Sequence, residues 1–172
     1  FVPLSFIHTE APMYQKQLIE GIRQGPTGLE VLKVHAVSRI LLNNWIPNLQ
    51  VSWVKESLRL SQVLLGAGVN DMGGSLINES ISTAAGAQHG QLIRPSEFRQ
   101  MIRDAGRVPA ERSTTYSIRK LFDQDDEPLE PLDLVEGNLE ERFGTYHRLI
   151  QMEDFRFQHP KKQDRAETPS GV

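Results

Sequence analysis

The sequence predicts an α/β protein built on a parallel sheet, more narrowly the C-terminal part of a TIM-type (β/α) barrel followed by a mostly irregular acidic tail. Three observations lead there. Apolar or β-branched runs alternate with helix-period segments over residues 1–105 in the order β, α, β, α, β, α, α, which implies right-handed crossovers. The opening run FVPLSFIHT is apolar on both alternating faces, as a strand covered on both sides must be. Only three βα units have formed by Ala85, whereas a barrel takes eight and about 250 residues. The expectation is therefore a barrel cut at Phe1 rather than a small open sheet, since the chain begins inside a strand.

Each element has its own signal. After a loop to Gly25, Thr27 and Glu30 have capping-box spacing, and Leu29, Leu32, Ala36 and Ile40 recur at helical intervals towards Asn43-Asn44. Pro47 bars continuation of that helix. Leu49 to Val54 alternates as a second strand. A helix through Leu58, Val63 and Leu64 stops at Gly66-Ala67-Gly68. Val69 to Met72 reads as a third strand with Gly73-Gly74 turning out of it, and Ser75 to Ala85 as a helix closing at Gly86. Ser96 to Ala105 places Phe98, Met101 and Ile102 on one face and ends at Gly106. Two domains are expected: residues 1–120, the barrel portion, and 121–172, an acidic linker and tail, partly helical around Leu139–Met152 and disordered at its end.

Charge supports that division. The net charge is −3, but residues 1–120 carry 13 Lys/Arg against 9 Asp/Glu, while residues 121–172 carry 6 against 13. An acidic tail repels phosphate, so nucleic acid is not expected as a partner. No run approaches the roughly 18 apolar residues of a membrane span, so no membrane partner is expected either. The start lacks an initiator Met and a basic leader and does not read as a signal peptide. With no cysteine in 172 residues, these residues supply no disulfide, thiolate zinc site or cysteine-ligated cluster. A cytoplasmic location fits this composition.

In a barrel, strand C-termini and the loops after them face the active site. That criterion selects His8 after the first strand, and Gln50, Trp53 and Lys55 along and after the second. It also selects Asn70, Asp71, Gly73 and Gly74 at the third, followed by Glu79, while His89 is a further candidate at the end of the glycine-rich run 66–90. Each has a plain structural alternative. His8 can cap a strand end, Trp53 can be core, and Lys55 can be a solvated charge. Asp71 can close an Asx-turn, and Gly73-Gly74 can be either a tight turn or an anion cradle. The HExxH, GxSxG and GxxxxGK[ST] patterns are absent, and Gly66-x-Gly68 precedes a strand, unlike the dinucleotide fingerprint. No metal ligands are expected within the chain.

The blocks FVPLSFIHTEAPMY, IPNLQVSWVK, GAGVNDMGGSLINESISTAAGAQHG and AGRVPAERSTTY, in this order over residues 1–120, resemble the C-terminal half of the radical SAM FO synthase family, in its tyrosine-using subunit. That resemblance implies a transferase in deazaflavin biosynthesis. A 4Fe-4S cluster and S-adenosyl-L-methionine would be bound mainly by a preceding half, leaving this fragment inactive alone. The 4-hydroxybenzyl group of L-tyrosine would be joined to 5-amino-6-(D-ribitylamino)uracil, beside a partner FO synthase first subunit or fused domain. His8, Gln50, Trp53, Lys55, Asn70, Asp71, Gly73, Gly74, Glu79 and His89 all fall in matching blocks, and the polar ones are expected to hold substrate. Thr83 and Ala110-Glu111 depart from the family pattern. The alternatives are a fragment of a menaquinone-pathway radical SAM enzyme and a non-catalytic small-molecule binding module.

Overall fold

The computed structural model describes residues 1–77, 79–123 and 129–156. Asn78, the acidic run 124–128 and the polar end from 157 onward, where a disordered tail is expected, lie outside the described residues. The first eight residues carry no regular structure, Thr9-Glu10 form a turn closed by the Ala11 N–H on the His8 carbonyl at 3.0 Å, and a single helical turn, α1 (Pro12–Gln15), follows. Helix α2 (Gly28–Leu42) begins where the sequence places it: the Thr27 hydroxyl accepts the Glu30 N–H at 3.3 Å, and the Glu30 carboxylate accepts the Thr27 N–H at 2.7 Å. The Thr27 main chain and the Arg23 guanidinium hold the Glu30 carboxyl down at about 2.

Helices α3 (Trp53–Glu56) and α4 (Leu58–Leu65) meet at a sharp corner, Ser57, whose φ is 71° and whose hydroxyl accepts the Leu60 N–H. After α5 (Ile81–Ala84) and α6 (Pro95–Asp104) comes an antiparallel hairpin of β1 (Ala110–Arg112) and β2 (Ile118–Leu121). Its register pairs Glu111 with Lys120 and slips by a bulge before Arg112. Short helices α7 (Leu139–Phe143) and α8 (Tyr146–Leu149) and a 3₁₀ turn at Glu153–Phe155 follow. The core gathers Val31, Leu49, Val51, Trp53, Leu64, Val69, Met72, Ile93 and Phe98, so α2, α4 and α6 pack around the extended segments 49–52 and 69–72.

The architecture is mixed helix and small sheet. Among the described residues the only named sheet is the β1–β2 hairpin, and no closed barrel is formed. The three expected strands are extended segments in contact: the Phe1 carbonyl accepts the Gln50 N–H at 2.9 Å, the Leu49 carbonyl accepts the Asn70 N–H at 3.1 Å, and the Asp71 carbonyl accepts the Val51 N–H at 2.9 Å. One parallel bridge, Gln50 with Asp71, is the whole of the regular pairing between them. The second segment also ends early. Adjacent residues of a strand face opposite sides, and winding into α3 lets Trp53 and Val54 both enter the core.

The expected helix over 75–85 shrinks to α5. The Glu79 carboxylate accepts the Ser82 N–H at 3.1 Å and fixes the helix start there. The expected helix over 139–152 breaks at Gly144, whose φ of 83° closes α7. No helix of the described residues is long and apolar enough to cross a membrane.

Candidate functional site

A cavity of about 840 Å³ runs along residues 68–75, floored by Leu65, Val69, Phe98 and Ile102 and walled by the hairpin and α6. Its polar centre is Asp71. This carboxylate, with 4% of its side chain exposed, accepts two guanidinium donors of Arg112 at 2.5 and 3.1 Å and the Gly73 N–H at 2.7 Å. The last bond closes an Asx-turn, for which Gly73 adopts φ of 79°. The forked pairing is the strong charge-assisted form. The hydrogen bond to Asp71 pushes the Arg112 guanidinium above its ordinary range, against the opposing effect of burial.

Arg112 does not spend itself on Asp71. It gives a third donor to the Ser113 carbonyl at 3.1 Å, and its guanidinium lies 4.4 Å from the centre of the Tyr116 ring. A quarter of its side chain stays exposed on the cavity wall. A guanidinium has five N–H donors, so two remain for an acceptor in the cavity. The arrangement can hold a carboxylate, carbonyl or hydroxyl oxygen beside an aromatic ring.

Asn70 is spent on the fold. Its carbonyl oxygen accepts from Arg39 and from the Leu49 N–H, both at 2.8 Å, and its amide donates to the Pro47 carbonyl and to Asn48. Arg39 also donates to the carbonyls of Gly68 and Pro47, so this cluster stitches α2 to the approaches of both extended segments. Trp53, 2% exposed, lies edge-on to Phe98 at 6.0 Å and donates its indole N–H to the Gly74 carbonyl at 3.2 Å. Behind the turn stands Gln50: a Cβ on Gly73 would come within 3.2 Å of its amide nitrogen.

Of the residues selected from the sequence, the structure brings Asn70, Asp71, Gly73 and Gly74 to the cavity wall and places Gln50 and Trp53 directly behind it. The others lie off the wall. His8 stacks edge-on against Tyr14 at 4.9 Å, Lys55 rides on α3, Glu79 caps α5, and His89 is exposed in the loop after it. Sequence reasoning missed Arg112 and Tyr116 as site residues. Their signal was present in the matched block AGRVPAERSTTY, but nothing in its spacing reveals a partner 41 residues away at Asp71.

A cysteine-ligated cluster finds no ligands in this chain. It contains no cysteine, and among the described residues no three His, Asp or Glu are grouped to share a metal ion.

Extended segments packed by helices thus bring polar residues to one cavity, where the chain turns out at Asp71 and Gly73. Residues 1–125 match the family described as the CofH/MqnC C-terminal region, and the chain belongs to that family. Among similar curated proteins is the 5-amino-6-(D-ribitylamino)uracil–L-tyrosine 4-hydroxyphenyl transferase of Methanopyrus kandleri, 45% identical over 122 residues, which are 71% of this chain and 32% of that protein. The protein of that name from Methanocaldococcus jannaschii is 51% identical over 119 residues, 69% of this chain and 32% of its own length. One from Methanosarcina mazei is 50% identical over 116 residues, 67% and 31%. The resemblance read from the sequence blocks is thus borne out. The chain spans about a third of the length of these relatives. No solved structure matches it.

Proposed function

We propose that the full-length protein is a radical SAM transferase that joins the 4-hydroxybenzyl group of L-tyrosine to 5-amino-6-(D-ribitylamino)uracil, on the way to the deazaflavin FO. One observation carries the reading to this chain: two separate stretches of the region matched to the family, residues 66–90 and 105–116, are tied together at one cavity by the Asp71–Arg112 fork. Asp71 and the Gly73-Gly74 turn position Arg112, and Arg112 with Tyr116 receives an oxygen acceptor of the substrate, a tyrosine carboxylate or a uracil carbonyl. Gln50 and Trp53 hold the turn from behind. His8, Lys55, Glu79 and His89 serve as outer contacts that close on substrate only with the rest of the protein in place.

The fold reading extends in the same direction. The array of extended segments is open on both sides: residues 68–75 border the large cavity, and residues 3–6 border a smaller one of about 180 Å³. Beside the smaller cavity, the buried Nε2 of His35 has no hydrogen-bond partner among the described residues, while its Nδ1 bonds the Val31 carbonyl. We assign both open sides to the continuation of a (β/α) barrel by the remainder of the full-length protein. That remainder would also bind the 4Fe-4S cluster and S-adenosyl-L-methionine. When bound, they supply the radical that opens tyrosine, whereas this chain binds, orients and shields the substrates. A partner FO synthase subunit or fused domain would act beside it, in the cytoplasm.

The test is turnover of the full-length protein, reconstituted anaerobically with iron and sulfide and supplied with S-adenosyl-L-methionine, reductant, tyrosine and the ribitylaminouracil. Mass spectrometry should find deoxyadenosine together with a hydroxybenzyl–uracil adduct. Deoxyadenosine without the adduct would move the protein towards other substrates. Neither product, from protein with a full cluster, would sink the proposal.

A further inference from the structure

The stretch after the region matched to the family holds an anchor that a passive tail has no use for. Asp133, with 1% of its side chain exposed, accepts the Ser96 N–H at 2.8 Å in the first turn of α6, the Glu130 N–H at 3.0 Å and the Arg99 guanidinium at 3.2 Å. Arg94 answers in the opposite direction and donates to the carbonyls of Leu132, Asp133 and Val135. Each segment thus grips the other's main chain with a charged side chain. Further along, the Gln91 side chain accepts the Tyr146 N–H at 3.2 Å, and Leu139 is buried. Residues 129–149 are therefore strapped across α6.

The strap reaches the cavity. Glu130 lines it, with its carboxylate 3.6 Å from Arg99, and it stays partly exposed where Asp133 is not. Arg99 in turn lies 4.8 Å from the centre of the Phe122 ring, also on the wall. Asp133 already supplies Arg99 with a short, buried ion pair, so the longer contact to Glu130 leaves the latter carboxylate available.

We infer that the strap of residues 129–149 holds Glu130 on the wall of the substrate cavity and that Glu130 is a recognition group for a hydrogen-bond donor on the ligand, an ammonium or a hydroxyl. This rests on the substrate reading given above and deepens it: Arg112 takes the ligand's acceptor, and Glu130 takes its donor. Tyrosine offers an ammonium and the ribityl chain offers hydroxyls.

The experiment uses the full-length protein and titrates L-tyrosine and 5-amino-6-(D-ribitylamino)uracil separately by calorimetry, wild type against Glu130→Gln, an isosteric change at a partly exposed site. The inference predicts that one of the two compounds binds about tenfold more weakly, as loss of a charged hydrogen bond should produce, while the other is unchanged. Weakening of tyrosine alone assigns the ammonium, and weakening of the uracil alone assigns the hydroxyls. Equal affinities in both proteins overturn the role of Glu130. Weakening of both alike overturns it too, because it signals a collapsed cavity. Hydrogen exchange at the Ser96 and Glu130 amides, followed on the same samples, reports the strap independently of any ligand. Protected amides with no binding of either compound to wild type would sink the substrate reading and leave the strap as a structural brace only. Unprotected amides in wild type would overturn the strap itself.

Discussion

Asp71 and Asp133 are both nearly buried carboxylates that accept a guanidinium and main-chain N–H groups, yet the two clamps differ in what they leave open. The arginine facing Asp71 keeps 25% of its side chain exposed on the cavity wall, whereas the arginine facing Asp133 keeps 8%. The first clamp presents a partly exposed guanidinium to the cavity; the second keeps its guanidinium buried where it joins two segments. The same ion-pair chemistry thus leaves a cation open to a cavity in one place and closes it between two segments in the other. The family match also divides them: Asp71 and Arg112 lie inside residues 1–125, while Asp133 lies beyond.

Substitutions should separate the clamps. The largest effect is expected at the brace: Asp133→Ala leaves Arg99 buried and two main-chain donors unpaired, a loss of about 3–4 kcal/mol in local stability. Native-state hydrogen exchange at Ser96 and Glu130 would show it, and unchanged protection would mean the strap is held elsewhere. Arg112→Met should cost less, about 2 kcal/mol by urea unfolding of the full-length protein, because its guanidinium is partly solvated. A larger loss there than at Asp133 would reverse the comparison.

Acid should loosen the brace. Burial raises the Asp133 carboxyl, but the bonds from Ser96 and Glu130 and the charge of Arg99 prevail and lower it below the ordinary 3.8. Its contribution is therefore present above that value and is lost as pH falls through the lowered one. Exchange protection of the strap should persist at pH 5 and vanish on acidification below the ordinary carboxylate range. Thr27→Ala, at the capping box of α2 far from both clamps, should cost only about 1 kcal/mol and leave turnover untouched.

Local chemistry was legible in the sequence and long-range chemistry was not. The Thr27 cap, the spans of α2, α4 and α6, and the stop at Gly106 follow from spacing and from residues that act within one turn. The hairpin at 110–121 escaped notice because its strands are three and four residues long and mostly exposed, with no apolar alternation to read. Trp53 reads as a strand residue by type, but the core draws in both it and Val54, and that requirement turns the backbone. Asp71, Gly73 and Gly74, picked out from the glycine-rich run, line the cavity. Arg112 stayed hidden because its role depends on a partner that only the fold brings near.

The most direct measurement is kcat/KM of the reconstituted full-length protein carrying Arg112→Lys, with adduct formation followed by mass spectrometry. Lysine keeps the charge but loses the fork that grips Asp71 while still offering donors to the cavity. The account predicts a fall of about a hundredfold, equivalent to roughly 2.7 kcal/mol of transition-state binding. An unchanged kcat/KM, in protein with a full cluster and an intact fold, would contradict the assignment of this cavity as the substrate site.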